Sequence, residues 1–127
     1  DEVLLSSVCE ACIRTNRGDL LGPHLRRQKS GKAVQVQGAH TFGSLIRAHG
    51  FVNDLEGVWS CWRDMNKRHI LPTSITLGCT VEALVKNDDI EAGYELIREV
   101  STNPQTKPLV NAVIYGSVLK GFCHQKR

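Results

Sequence analysis

A short segment recurs along this chain: Thr41-Phe42-Gly43-Ser44-Leu45-Ile46, Thr76-Leu77-Gly78-Cys79-Thr80-Val81 and Ile114-Tyr115-Gly116-Ser117-Val118-Leu119. Its glycines stand 35 and then 38 residues apart. A fainter copy, Leu4-Leu5-Ser6-Ser7-Val8, places Ser6 37 residues before Gly43. A period near that length marks a stack of small units, each burying its apolar face only against its neighbours. The 127 residues then carry a core spread over a series of interfaces. Binding along an extended surface is the function class that such a shape favours.

The second unit shows what each copy contains. Phe42, Leu45 and Ile46 fall on one helical face, His49-Gly50 breaks the pattern, and Asn53 with Glu56 three residues later reads as an N-cap and capping box. Leu55, Val58, Trp59, Trp62 and Met65 then recur at the helical period until His69-Ile70-Leu71-Pro72 stops them. The third unit repeats the plan with Leu77, Val81, Leu84 and Val85, a cap at Asp88 with Glu91, and a stripe of Ile90, Tyr94, Ile97 and Val100. Its three extra residues fall in the 102–108 stretch, where a loop absorbs length cheaply. In the first unit Asn16 and Asp19 take the capping places, Leu20, Leu21 and Leu25 follow, and Gly22-Pro23 predicts a late start or a bend. The last unit offers one helix, with Tyr115, Val118, Leu119, Phe122 and Cys123 on its apolar face, to be covered by sequence or a subunit beyond this stretch. Strands are not expected: Val34-Gln35-Val36-Gln37 alternates but has no neighbour to pair with.

Composition agrees with a soluble α-helical array. Charged residues are 23% and hydrophobic ones 41%, and no apolar run reaches the roughly 18 residues of a membrane helix. The start, Asp1-Glu2, shows no basic or apolar leader pattern, so a mature product or a fragment is expected. Net charge is +3, a mild basicity compatible with nucleic acid. Arg26, Arg27, Lys29 and Lys32 are the densest basic stretch, either a solvated helix end or a phosphate-facing patch. Five cysteines, an odd number, read as free thiols.

Read against helical repeats, residues 39–73 resemble the pentatricopeptide repeat. Thr41-Phe42, Leu45-Ile46, Leu55, Met65, Ile70 and Pro72 stand where that motif has Thr-Tyr, Leu-Ile, Leu, Met, Ile and Pro. Residues 74–111 match as a slightly long copy, 112–127 as the first helix of another, and 2–38 as a degenerate first copy. The resemblance implies an α-solenoid of about three and a half repeats that binds single-stranded RNA in mitochondria or chloroplasts, one base per repeat, chosen by the fifth and last residues. It also implies that the second residues sandwich the bases. The second positions are Val3, His40, Ile75 and Val113; the fifth are Ser6, Gly43, Gly78 and Gly116; the last are Gly38, Thr73 and Asn111. Basic residues late in the first helix, here Arg14 and Lys86, are the phosphate candidates; the second repeat has Phe51 there, and His124 nearly imitates them.

The copies depart from the pattern at the fifth position. Three of the four carry glycine, which has no side chain to bond a base, so weak sequence discrimination is expected. Alternatively, the glycines admit a close approach of neighbouring helices. No enzyme is expected: the histidines are scattered, His49 and His69 sit where imidazole bonds terminal carbonyls, and no nucleophile or phosphate-loop motif appears. Cys9-x-x-Cys12 lacks a second ligand pair and reads as two small packing residues, so neither metal nor cofactor is expected. Trp59 and Trp62 match the core spacing better than a stacking platform. Two functions follow: an RNA-binding segment of an organellar RNA-processing or translation factor, or a scaffold that holds a protein partner in a larger assembly. Neither calls for membrane insertion or a small-molecule substrate.

Overall fold

The computed structural model describes residues 2–29 and 35–124. It is all-α: α1 (Glu2–Arg14), α2 (Gly18–Lys29), α3 (Ala39–Phe51), α4 (Leu55–Lys67), α5 (Ser74–Lys86), α6 (Ile90–Thr102) and α7 (Ala112–His124), with a 3-10 turn at Lys107–Leu109. Helices α1, α3, α5 and α7 stack side by side, while α2, α4 and α6 lean on this row from behind. The result is a two-layer helical stack.

The stacking register explains the recurring segment. The fourth residue of each front helix is Leu5, Phe42, Leu77 or Tyr115, and the eighth is Cys9, Ile46, Val81 or Leu119. The first three of each set are buried, whereas Tyr115 and Leu119 are 45% and 64% exposed, with no helix packed beyond α7 among the described residues. The opposite face of α7 is the docked one, through Ile114, Val118 and Gly121. Of the face expected at Tyr115, Val118, Leu119, Phe122 and Cys123, only Val118 is buried; Phe122 is half-buried and the other three are exposed. In the back layer Val58, Trp62 and Met65 of α4 and Ile90, Ile97 and Val100 of α6 are buried, and Trp59 packs at the edge of the core. Tyr94 departs from its stripe, exposed on α6 with its ring edge-on to Phe122 at 6.4 Å.

Helices α1, α3 and α5 end in the same turn, one residue away from the expected caps. Asn16, Asn53 and Asp88 adopt positive φ of 58°, 61° and 65°. The residue after each donates its N–H back five residues: Arg17 to Cys12, Asp54 to His49 and Asp89 to Leu84, each at 2.8 Å. This is the Schellman arrangement, in which a short polar side chain tolerates the left-handed residue. Asn53 thus closes α3, and Asp54 is the N-cap of α4, accepting from the Gly57 N–H at 3.0 Å. Asp89 stands at the N-cap of α6 without a side-chain bond there. The left-handed residue at the end of α4 is His69, with φ of 58°.

Pro23 neither delays nor divides α2, which runs unbroken from Gly18. Pro23 is the sixth residue of the helix and removes the one backbone donor that would reach the Asp19 carbonyl. Leu21 and Leu25 are buried, and Leu20 is exposed. Gln35 to Gln37 form no strand. Lys32, the side chain of Lys29 and Val34 lie outside the described residues.

Candidate nucleic-acid interface

The front row presents the residues singled out for base contact. Val3, Ile75 and Val113 are 75%, 73% and 78% exposed at the starts of α1, α5 and α7, and His40 is exposed at the start of α3. Exposed β-branched side chains in one row, at the repeat spacing, oppose the usual burial of such residues. They stand as posts between open grooves. One groove, of about 590 Å³, is bordered by His40, Gly43, Thr73 and Ile75; the next, of about 330 Å³, by Ile75, Gly78, Asn111 and Val113. Ile75 is the wall between them. Each groove therefore collects the second, fifth and last residues of one repeat with the second residue of the following one.

The last residues prove to be helix caps. Thr73 caps α5, accepting from the Thr76 N–H at 3.1 Å, with Thr76 Oγ1 reciprocating in a capping box. Asn111 Oδ1 accepts from the Ile114 N–H at 3.0 Å. Gly38 caps α3, and its N–H donates to Glu2 Oε1 at 2.7 Å. The Asn111 carboxamide oxygen and the Thr73 hydroxyl are thus engaged in orienting the very helices that carry the posts. The Asn111 side-chain NH2 is its remaining donor group.

The fifth residues divide. Ser6 is buried, its hydroxyl bonded to Ser44 Oγ at 2.8 Å with His40 Nε2 3.3 Å away. Its polar group faces the α1–α3 interface rather than a groove. Gly43 and Gly78 sit on groove floors, yet neither is held there by crowding. A Cβ at Gly43 would come no closer than 3.9 Å to Thr76 Cα, one at Gly78 would lie 3.9 Å from Ile114 Cγ1, and one at Gly116 would meet nothing within 4 Å. Close helix approach is therefore not the reason for these three glycines. It is the reason at Gly50 and Gly121, where a Cβ would fall 2.7 Å from Ala83 Cβ and 2.8 Å from Val85 Cγ1.

The charges of this face lie partly where the sequence reading did not look. Arg14 and Lys86 end α1 and α5 and are exposed. Lys86 Nζ sits 6.0 Å from the centroid of the Phe51 ring, so the aromatic residue in the cation's place on α3 engages its neighbour's ammonium. One turn earlier a second series appears, the ninth residue of each front helix: Glu10, Arg47, Glu82 and Lys120. Glu10, Arg47 and Glu82 border the larger groove, and Arg47 Nη1 pairs with a Glu10 carboxylate oxygen. The three surround Cys79, whose thiol burial pushes up to about 11, with Arg47 opposing and the two carboxylates reinforcing. Aligning the copies residue by residue would have exposed this series, because its members recur at the spacing of the glycines.

The other candidates resolve into packing. Cys9 and Cys12 are buried in α1, and burial raises the Cys9 thiol to about 11. His49 is buried, with its Nδ1 3.0 Å from the Asp54 carboxylate. His69 is exposed in its left-handed turn. Among the described residues no three His, Cys, Asp or Glu side chains gather as a metal would require, and no helix is long and apolar enough to cross a membrane. No model of a known protein family matches this sequence, and no curated protein matches it.

Proposed function

We propose that this chain is a single-stranded RNA-binding repeat segment of the pentatricopeptide type, with little discrimination among bases. The observation that supports this most is the pair of consecutive grooves sharing Ile75, each bordered by the second, fifth and last residues of a repeat. Exposed apolar posts at repeat spacing suit bases inserted between them, since every base has an apolar face that packs without regard to sequence. The floors at Gly43 and Gly78 carry no hydrogen-bonding side chain, which agrees with weak choice. The resemblance extends the proposal to an organellar RNA-processing or translation factor in a mitochondrion or chloroplast, acting by binding and not by catalysis.

Purified protein should bind an unstructured single-stranded RNA at low salt, with affinity falling as salt rises. Ile75→Ala removes an exposed post without touching the core and should weaken binding by about 1–3 kcal/mol, the scale of burying such a side chain. Absence of wild-type binding even at low salt would overturn the reading. A second reading, a scaffold for a protein partner, is favoured by the exposed apolar row of Val3, Leu4, Ile75 and Val113, which a protein surface would equally cover. It predicts a stoichiometric protein partner that RNase treatment does not release.

A further inference from the structure

The ninth-residue series gives the groove a charge pattern that the repeat resemblance does not supply. Glu10, Arg47, Glu82 and Lys120 alternate in sign along the front row. Arg47 is the cation at the border of the larger groove, and its guanidinium is paired across the α1–α3 interface with Glu10. Both side chains are half-buried, 39% and 30% exposed. A guanidinium takes a carboxylate and a phosphate through the same fork of N–H donors. A nucleic-acid phosphate arriving at this groove would therefore meet an Arg47 already partnered.

Resting on the RNA-binding reading, we infer that Glu10 is a built-in competitor for Arg47: it occupies the place that an RNA phosphate would take and sets the affinity of the groove low. Arg47 is then a phosphate-binding residue held in reserve, and Glu10 is a residue that tunes it. Glu82 also borders this groove, where Arg47 pairs with Glu10 instead; it adds repulsion toward an anion and serves as the internal comparison. Any anion that entered would exchange one ion pair for another, so the net gain at this groove is small while Glu10 is charged. The same exchange counts for little in folding, because half-exposed ion pairs contribute weakly to stability.

The test uses the whole chain, an unstructured single-stranded RNA oligonucleotide and a salt titration. Glu10→Gln should bind up to about fivefold more tightly at low salt, the scale of releasing one half-exposed ion pair. The slope of log affinity against log salt should steepen by about 0.7, the increment for one added phosphate contact on a single strand. Arg47→Gln should abolish this gain in the Glu10→Gln background and change little in the wild-type one, a coupling that a double-mutant cycle isolates. Wild-type binding that Glu10→Gln leaves unchanged overturns the inference and spares the RNA-binding reading. An equal gain from Glu82→Gln, indifferent to Arg47, also overturns it, since net charge alone would then account for the effect. Failure of both wild type and Glu10→Gln to bind overturns both. Matching thermal melts of the variants exclude misfolding as the cause.

Discussion

His49 and Asp54 are joined across the turn between α3 and α4: His49 Nδ1 and Asp54 Oδ2 lie 3.0 Å apart, while Asp54 Oδ1 accepts from the Gly57 N–H at 3.0 Å. One carboxylate thus caps α4 and fixes a buried imidazole on α3. Gly57 makes room for it, since a Cβ there would fall 2.2 Å from His49 Nδ1 and 2.5 Å from Asp54 Oδ2. Gly57→Ala should cost about 1–3 kcal/mol from overpacking, despite alanine's better helix propensity. Asp54→Ala should cost a comparable amount, about 1 kcal/mol from the cap and more from the imidazole bond. Urea unfolding measures both, and a stabilised Gly57→Ala protein would contradict the packing described.

The front-row glycines should separate by sign. Gly43→Ala and Gly78→Ala place a methyl at ordinary contact distance within a helix, so each should stabilise by about 0.5–1 kcal/mol. Gly50→Ala and Gly121→Ala drive a methyl into Ala83 and into Val85 with Ile90. Each should destabilise by about 1–3 kcal/mol. Chemical denaturation of the four variants reads the difference directly. If Gly43→Ala and Gly78→Ala also destabilise, packing demands those glycines after all, and their silence toward bases becomes incidental.

The repeat itself was legible because Phe42, Leu77 and Tyr115 occupy equivalent places on helices of equal length. Its caps were legible only to within one residue. Asn53 and Asp54 are both good cap residues, and the distinction rests on which of them takes the left-handed turn, a choice made by the backbone of α3. Asn16 and Asp88 mislead in the same way. The Glu10–Arg47 and Ser6–Ser44 pairs join residues one repeat apart. Helical periodicity within a segment is blind to such pairs, whereas the repeat register predicts them once the copies are superposed. The open Tyr115 and Leu119 agree with the single helix of the last unit, whose apolar face the sequence leaves without a partner helix in this stretch.

Acid should loosen the joint between the first two repeats. Glu2 Oε1 accepts the Gly38 N–H at 2.7 Å and the Gln37 N–H at 3.0 Å. These bonds, the one from Gly38 foremost, hold its carboxyl below the ordinary value of 4.5. The unfolded chain therefore binds the proton first as pH falls. The contribution is complete above about pH 4.5 and disappears as pH drops through the lowered folded value. Glu2→Gln keeps an acceptor oxygen but no charge, so the stability gap to wild type should be widest near neutrality and close in acid. A gap that stays constant over that range would assign Glu2 no role in the joint.

Thiol reactivity tests whether the degenerate first repeat is a full member of the stack. Cys9 is buried on α1, and burial raises its thiol from 9.0 to about 11, which leaves almost no thiolate at neutral pH. Cys12 is buried on the same helix, whereas Cys123 is exposed on α7. Alkylation under native conditions, followed by mass spectrometry, should mark Cys123 first and reach Cys9 and Cys12 only when urea unfolds the chain. Docking of α1 also positions Glu10 against Arg47 and Ser6 against Ser44. Native labelling of Cys9 as fast as that of Cys123 would mean that α1 leaves the stack readily, and the groove charge pattern would then be an intermittent one.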